Sequence, residues 1–271
     1  MADCTHDCGT CGESCGERTA PQKAEMNKYS DVKKVIGVVS GKGGVGKSSV
    51  TSMLATAAMR MGKKVAILDA DITGPSIPKA FGLSEQPSGT MDNQIIPVAS
   101  KNGIKVMSTN LLLEDETDPV LWRGPVLGGV IEQFWSDVVW GDIDVMFVDM
   151  PPGTGDVPMS VYQKLPVDGI VIVSSPQQLV SMIVEKAVKM AEMMDINVLA
   201  LVENMSYYKC PNCGEEHYIF GESHIEEVAA QYGIEIVEKL PIDGDIAALC
   251  DFGLVEDYKS EAIDDLVKKL L

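Results

Sequence analysis

Gly41-Lys42-Gly43-Gly44-Val45-Gly46-Lys47-Ser48 is the stretch whose reading decides the fold. It fits G-x-x-x-x-G-K-[ST], a phosphate-binding loop that needs a strand before it and a helix after it. Both flanks comply: Val35–Ser40 is a β-branched run, and residues 47–61 read as a helix. The glycines let backbone N–H groups turn inward around phosphate oxygens, and the helix start adds the positive end of its dipole. Lys47 is expected to reach the β- and γ-phosphates, and Ser48 to ligate Mg²⁺. The expected nucleotide cradle runs from Gly41 through Lys42, Gly43, Gly44, Val45, Gly46, Lys47 and Ser48 to Ser49.

Working outward, short apolar runs alternate with helical stretches. Strands are expected at Val35–Ser40, Lys64–Asp69, Ile104–Ser108, Asp144–Asp149, Gly169–Ser174, Asn197–Val202 and Glu235–Val237. Helices are expected near 47–61, 125–139, 178–194, 224–232, 245–250 and 260–270. Strands apolar throughout, rather than alternating, fit a parallel sheet buried on both faces. The fold class is therefore α/β: a doubly wound, mostly parallel sheet flanked by helices, with ligands at the carboxyl ends of the strands. Residues 81–103, rich in Pro, Ser and Asn, read as a long excursion. Residues 1–30 lack apolar periodicity and read as a flexible Cys-rich N-terminal arm ahead of a 31–271 ATPase domain.

Two strand ends carry acids. Asp149 closes Val145-Met146-Phe147-Val148-Asp149 and should face the Mg²⁺ shell. It opens the Pro/Gly-rich stretch 149–156, which suits a switch loop. Asp69-Ala70-Asp71 closes another strand, and Asp71, nearer the ligand edge, is the candidate for positioning the attacking water.

Composition narrows the partners. With 22 basic and 40 acidic residues the formal charge is −18, which repels phosphate backbones and anionic lipid. Nucleic acid and membrane are not expected partners. Half the excess lies in residues 222–271, which hold 13 acids and 4 bases and read as a solvated acidic surface. There is no apolar run of the roughly 18–20 residues that span a bilayer, and the N-terminus lacks a signal-peptide pattern. A cytoplasmic location is expected. Seven cysteines there argue for metal binding rather than disulfides.

Cys4, Cys8, Cys11 and Cys15 lie in the arm with x₃/x₂/x₃ spacing, suited to an iron–sulfur cluster or structural zinc. Cys210-Pro211-Asn212-Cys213 is expected in a loop after the strand ending at Val202. Two thiolates do not complete a zinc site or a cubane, so other residues or a second chain must contribute. A symmetric dimer would bring four sulfurs to one axis. The alternatives are a zinc half-knuckle with His217 or His224, and a redox dithiol. Cys250 reads as a small buried side chain.

Lys42, directly after the first glycine, has no role in an ordinary phosphate loop. With it, Gly41–Ser48 resembles the deviant Walker A group that includes the MinD, ParA and nitrogenase iron-protein ATPases. That resemblance implies a nucleotide-sandwich homodimer, with Lys42 reaching the partner's nucleotide. The whole pattern resembles the Mrp/ApbC family of iron–sulfur cluster carrier ATPases from about Lys34 to Asp257. It rests on Gly41–Ser48, residues 69–76, Trp122-Arg123-Gly124-Pro125, residues 149–156, Ser175-Pro176-Gln177, and residues 202–207 followed by Cys210 and Cys213.

The resemblance implies an ATP-hydrolysing carrier that holds a [4Fe–4S] cluster between subunits on Cys210 and Cys213 and passes it to apo-proteins. It places Asn204 near the adenine and Asp71 in the first switch, so that Lys42, Lys47 and Asp71 are the expected catalytic groups. Eukaryotic members with an N-terminal cluster space their four cysteines more widely than this arm does. No guanine-reading N-K-x-D follows the phosphate loop, which favours ATP. A MinD/ParA-like positioning ATPase and an ATP-dependent iron–sulfur reductase are the competing readings. The first needs a basic amphipathic tail, whereas apolar positions 263, 266, 267 and 270 are expected to pack on the domain.

Overall fold

The all-apolar runs become the inner strands of one sheet. The structure, a computed structural model, describes residues 23–271 apart from 72–73, 75, 91, 93, 114–123, 154, 177–179 and 222. Cys4, Cys8, Cys11 and Cys15 lie outside the described residues, as do Trp122, Arg123 and Gln177.

The strands are β1 Asp31–Val32, β2 Val35–Ser40, β3 Val65–Asp69, β4 Ser88–Gly89, β5 Ile95–Ile96, β6 Val98–Ala99 and β7 Lys105–Ser108, then β8 Asp142–Ile143, β9 Val145–Asp149, β10 Gly169–Ser174, β11 Val198–Lys209, β12 Glu216–His217 and β13 Val237–Pro241. The α-helices are α1 Lys47–Arg60, α2 Ile77–Ala80, α3 Gly124–Ser136, α4 Asp156–Lys164, α5 Val180–Met193, α6 Ile225–Tyr232, α7 Gly244–Asp251 and α8 Glu261–Leu270. The main sheet runs β12-β11-β10-β2-β9-β3-β7-β6, with β13 also paired to β11. Its pairs are parallel except β6 with β7 and β11 with β12.

Side chains alternate across each strand, so a sheet covered on both faces needs two cores. Along β2, Val35 and Val39 enter a cluster with Ile131, Trp135, Val161, Val188 and Ile225 from α3, α4, α5 and α6. Ile36 and Val38 enter the opposite cluster, with Val50 and Leu54 of α1, Ile77 of α2 and Ile263 and Leu266 of α8. Helix α8 buries Ile263, Leu266, Val267 and Leu270, as its apolar spacing predicts, and Ser260 Oγ caps it by accepting from Ile263 N at 3.4 Å. The tail's apolar stripe is thus used inside the fold. No described helix is long and apolar enough to cross a membrane.

Several sequence expectations need correction. The strand expected to end at Val202 continues to Lys209, and the one expected at Glu235–Val237 lies at Val237–Pro241. Helix α4 follows the Pro/Gly-rich stretch directly, with Pro158 in its first turn, where a missing N–H costs nothing. Residues 81–103 are not a bare excursion: β4 pairs with β5, and β6 extends the main sheet. Residues 23–30 lie on the domain, where Ala24 N donates to Lys164 O at 2.8 Å and Asn27 Nδ2 to Ser136 O at 2.9 Å.

Candidate nucleotide and cysteine sites

The phosphate loop leaves the carboxyl end of β2 and closes on α1. Gly44 and Gly46 adopt φ +79° and +78°, a left-handed backbone that glycine reaches without steric cost. Gly46 is the N-cap of α1, so the helix's unpaired N–H groups open toward the loop. A cavity of about 270 Å³ lies over them, lined by the loop together with Asp71, Gly74, Ser76 and Pro152.

Beneath that cavity the charged groups converge. Lys47 is 6% exposed, and its Nζ lies 2.8 Å from Asp149 Oδ1 and 3.5 Å from Asp71 Oδ2. Ser48 Oγ donates to Asp149 Oδ2 at 2.6 Å. Thr51, one turn beyond Lys47 on the same face of α1, donates to Asp149 Oδ1 at 2.7 Å. The two carboxylates hold the ammonium within reach of an incoming phosphate. The Ser48 hydroxyl and the Asp149 carboxylate are hard oxygen donors side by side, a set that fits Mg²⁺ with phosphate oxygens completing its shell. Lys42 is half-buried, and its carbonyl accepts from Ser40 Oγ at 3.0 Å.

The acids of β3 separate by environment. Asp69 is fully buried, accepts from Ser108 Oγ at 3.0 Å and from Asp71 N at 3.1 Å, and its carboxyl is pushed well above the usual range by burial and by the Asp149 charge. It fixes the turn into Asp71. Asp71 faces the cavity at 8% exposure, as its edge position suggested. Thr51 and Ser108 escaped the sequence reading; the i, i+4 spacing of Thr51 from Lys47 was the available signal.

Asn204 joins the same site from β11. Its Nδ2 donates to Val45 O at 2.9 Å, so the strand touches the loop directly. Six residues on, the C-x-x-C lies at the tip of the β11–β12 hairpin. Cys210 N donates to Glu215 O at 2.9 Å, and Gly214 N to Cys210 O at 2.8 Å, with Gly214 at φ +76°. Cys210 is half-buried, Cys213 is exposed, and both are free thiols. The N–H groups of Cys213 and Asn212 and the Cys213 thiol aim at the Cys210 sulfur and hold its thiol below the ordinary value. Such hydrogen bonds favour the thiolate form. Among the described residues no third His, Cys, Asp or Glu completes a metal site, so His217 and His224 do not join the pair. The motif is a hairpin turn rather than a helix N-terminus, unlike a thioredoxin-type dithiol. Cys250 is half-buried rather than sealed, hydrogen-bonded with Ser49, and burial pushes its thiol up.

Comparison with known proteins is consistent with this geometry. Residues 31–271 match the family described as ParA: NUBPL iron-transfer P-loop NTPase. The iron-sulfur cluster carrier protein of Clostridium perfringens is 46% identical over 250 residues, covering 90% of this chain and 87% of the relative. That of Methanocaldococcus jannaschii is 40% identical over 282 residues, covering 100% of this chain and 97% of the relative. Among solved structures, a nucleotide-binding protein in complex with ADP from Archaeoglobus fulgidus is 46% identical with a TM-score of 0.77, covering 85% of this chain and 90% of its own. The MinC:MinD cell division complex of Aquifex aeolicus, at 22% identity and a TM-score of 0.62 over 88% of this chain and 95% of its own, shares the fold.

Proposed function

The chain belongs to the NUBPL iron-transfer P-loop NTPase family of the ParA group, and we propose from that premise how its two sites divide the work of an ATP-hydrolysing iron–sulfur cluster carrier.

Nucleotide binding comes first. Phosphate oxygens take the inward N–H groups of residues 43–48, and Lys47 turns from Asp149 and Asp71 toward the β- and γ-phosphates. Ser48 and Asp149 would hold Mg²⁺, which would supply charge neutralisation at the phosphates. Asp71 orients the attacking water and takes its proton. Lys42 of one subunit reaches the nucleotide of the other, as the Gly41–Ser48 pattern implies, which makes hydrolysis a property of the homodimer.

The cargo is a [4Fe–4S] cluster held by Cys210 and Cys213 of both subunits and passed to apo-proteins. One observation carries this: a pair of free cysteines at a hairpin tip with no third ligand among the described residues. Two copies on a two-fold axis supply four sulfurs. Ligands from two chains let the cargo leave when the interface loosens. Cys4, Cys8, Cys11 and Cys15 bind a second metal group; the match to the methanocaldococcal relative covers that stretch of sequence too.

Iron counting tests the reading. The full chain with Cys4, Cys8, Cys11 and Cys15 all changed to Ser is reconstituted anaerobically. It should carry close to four irons per dimer, and adding Cys210→Ala should abolish both the cluster and its transfer. Stoichiometric zinc, or a full cluster on a monomer, overturns the shared site.

A further inference from the structure

Both sites hang on one strand. Asn204 touches the phosphate loop, and Cys210 opens the cysteine turn six positions along β11. The residues between are not regular sheet. Met205 has φ +58°, the left-handed region that costs a non-glycine residue about 1–2 kcal/mol. Against β13, the pairing passes from Glu203↔Lys239 to Tyr207↔Pro241, four steps on β11 against two on its neighbour. β11 therefore carries a bulge at 204–206. Such a bulge re-aims the strand beyond it.

The bulge is held at both ends. Glu203, 1% exposed, accepts from Ser206 Oγ at 2.6 Å across it. Beyond it, Ile242 N donates to Tyr207 O at 2.6 Å. A strained backbone persists only where its surroundings over-determine it, and these bonds do that here. A pinned kink does not absorb a displacement locally; it passes it on.

We propose that Asn204 and Met205 are positioning residues for the cargo: the phosphate loop, through Asn204, sets the aim of the Cys210–Cys213 turn, and the locked Met205 kink transmits it. The inference rests on the reading of Cys210 and Cys213 as cargo ligands. The Asn204 amide lies against Val45 and Gly46. Nucleotide seated in the loop shifts that contact, and the pinned bulge turns the shift into a changed presentation of the two thiols. Nucleotide state thereby reaches the cargo within one chain.

Peptide-resolved alkylation of the reduced full chain by N-ethylmaleimide tests this, with and without a non-hydrolysable Mg·ATP analogue. In the parent, the rates at Cys210 and Cys213 should change about fivefold or more, the lower range of ordinary site coupling. Met205→Gly releases the kink and should bring the change below about twofold while the analogue still binds, whereas Met205→Asn, which tolerates the left-handed region, should keep it. Asn204→Ala, at analogue concentrations that saturate it by calorimetry, should also lose the response. Cys250, beside Ser49 and off this strand, reports folding, because a misfolded variant changes its rate without nucleotide. A parent that binds the analogue with no response at Cys210 and Cys213 overturns the relay alone. So does a full response in Met205→Gly or Asn204→Ala. A parent that responds normally but assembles no shared cluster overturns the cargo reading instead.

Discussion

Asn204 occupies the space that a side chain on residue 46 would need. A Cβ built on Gly46 would overlap the Asn204 amide nitrogen, which is hydrogen-bonded at 2.9 Å to the neighbouring Val45 carbonyl. The last glycine of the loop is therefore required twice, once for its φ of +78° and once for this approach of β11.

Gly46→Ala should accordingly fail on both counts. The left-handed backbone alone costs about 1–2 kcal/mol, and Asn204 must also move. Stability by chemical denaturation should fall by at least that amount. Calorimetry should show ATP affinity lower by about tenfold or more, equivalent to about 1.4 kcal/mol. Unchanged stability and affinity would mean that loop and strand are not in contact.

Asp69 gives a pH signature. Its native carboxyl titrates well above the usual range because burial and Asp149 penalise the charge, so the folded state holds the proton more tightly than the unfolded chain. The stabilisation is full below the unfolded value of about 4. It is lost as pH rises from there through the folded value. Asp69→Asn keeps a neutral group of the same shape and removes that proton linkage. Urea titrations at pH 4.5 and pH 7 should show the variant gaining stability relative to the parent at the higher pH. A difference independent of pH would mean that Asp69 is charged in the native state.

The cysteines should separate by pH as well. N–H groups aimed at Cys210 depress its thiol, while burial raises that of Cys250. Peptide-resolved iodoacetamide labelling across pH should give Cys210 a midpoint below the ordinary cysteine value of about 8.5, and Cys250 one above it. Coincident midpoints would remove the argument that the hairpin is built to hold a thiolate.

Local pattern made much of this legible. The phosphate loop declares itself by spacing, and β2, β9 and β10 by apolar runs that only a sheet covered on both faces can bury. Legibility ends where tertiary contact decides. The apolar run ends at Val202, yet β11 continues through polar Glu203 and Ser206, which are buried and bonded to each other. Nothing local signals Met205 at positive φ. Asp69 and Asp71 are alike in sequence, and only depth makes one a sealed strut and the other a cavity wall. Helix α4 carries Pro158 in its first turn, where a helix tolerates it, so proline there does not mark a loop.

The two-subunit reading of hydrolysis has a test of its own. On the proposed reading, with Lys42 acting across the interface and Asp71 beside the nucleotide, Lys42→Ala and Asp71→Asn should each bind ATP and hydrolyse it poorly. Asp71 lies within 3.5 Å of Lys47 in the same chain, so its defect stays with the chain that carries it. If Lys42 serves the partner's nucleotide, a mixed dimer of the two variants contains one working site. That site combines the Asp71 and Lys47 of the Lys42→Ala chain with the Lys42 supplied by the Asp71→Asn chain. Its second site lacks both groups. Equal mixing makes half the dimers mixed, each with one of two sites active, so steady-state hydrolysis should recover to roughly a quarter of the parent rate in a symmetric two-fold assembly. If Lys42 instead serves its own chain's nucleotide, every site in every dimer lacks one group and mixing restores nothing. Subunit exchange is followed by differential tagging, so a silent mixture is separable from one that never formed mixed dimers. Recovery well above the level of either variant alone identifies Lys42 as the group that crosses the interface.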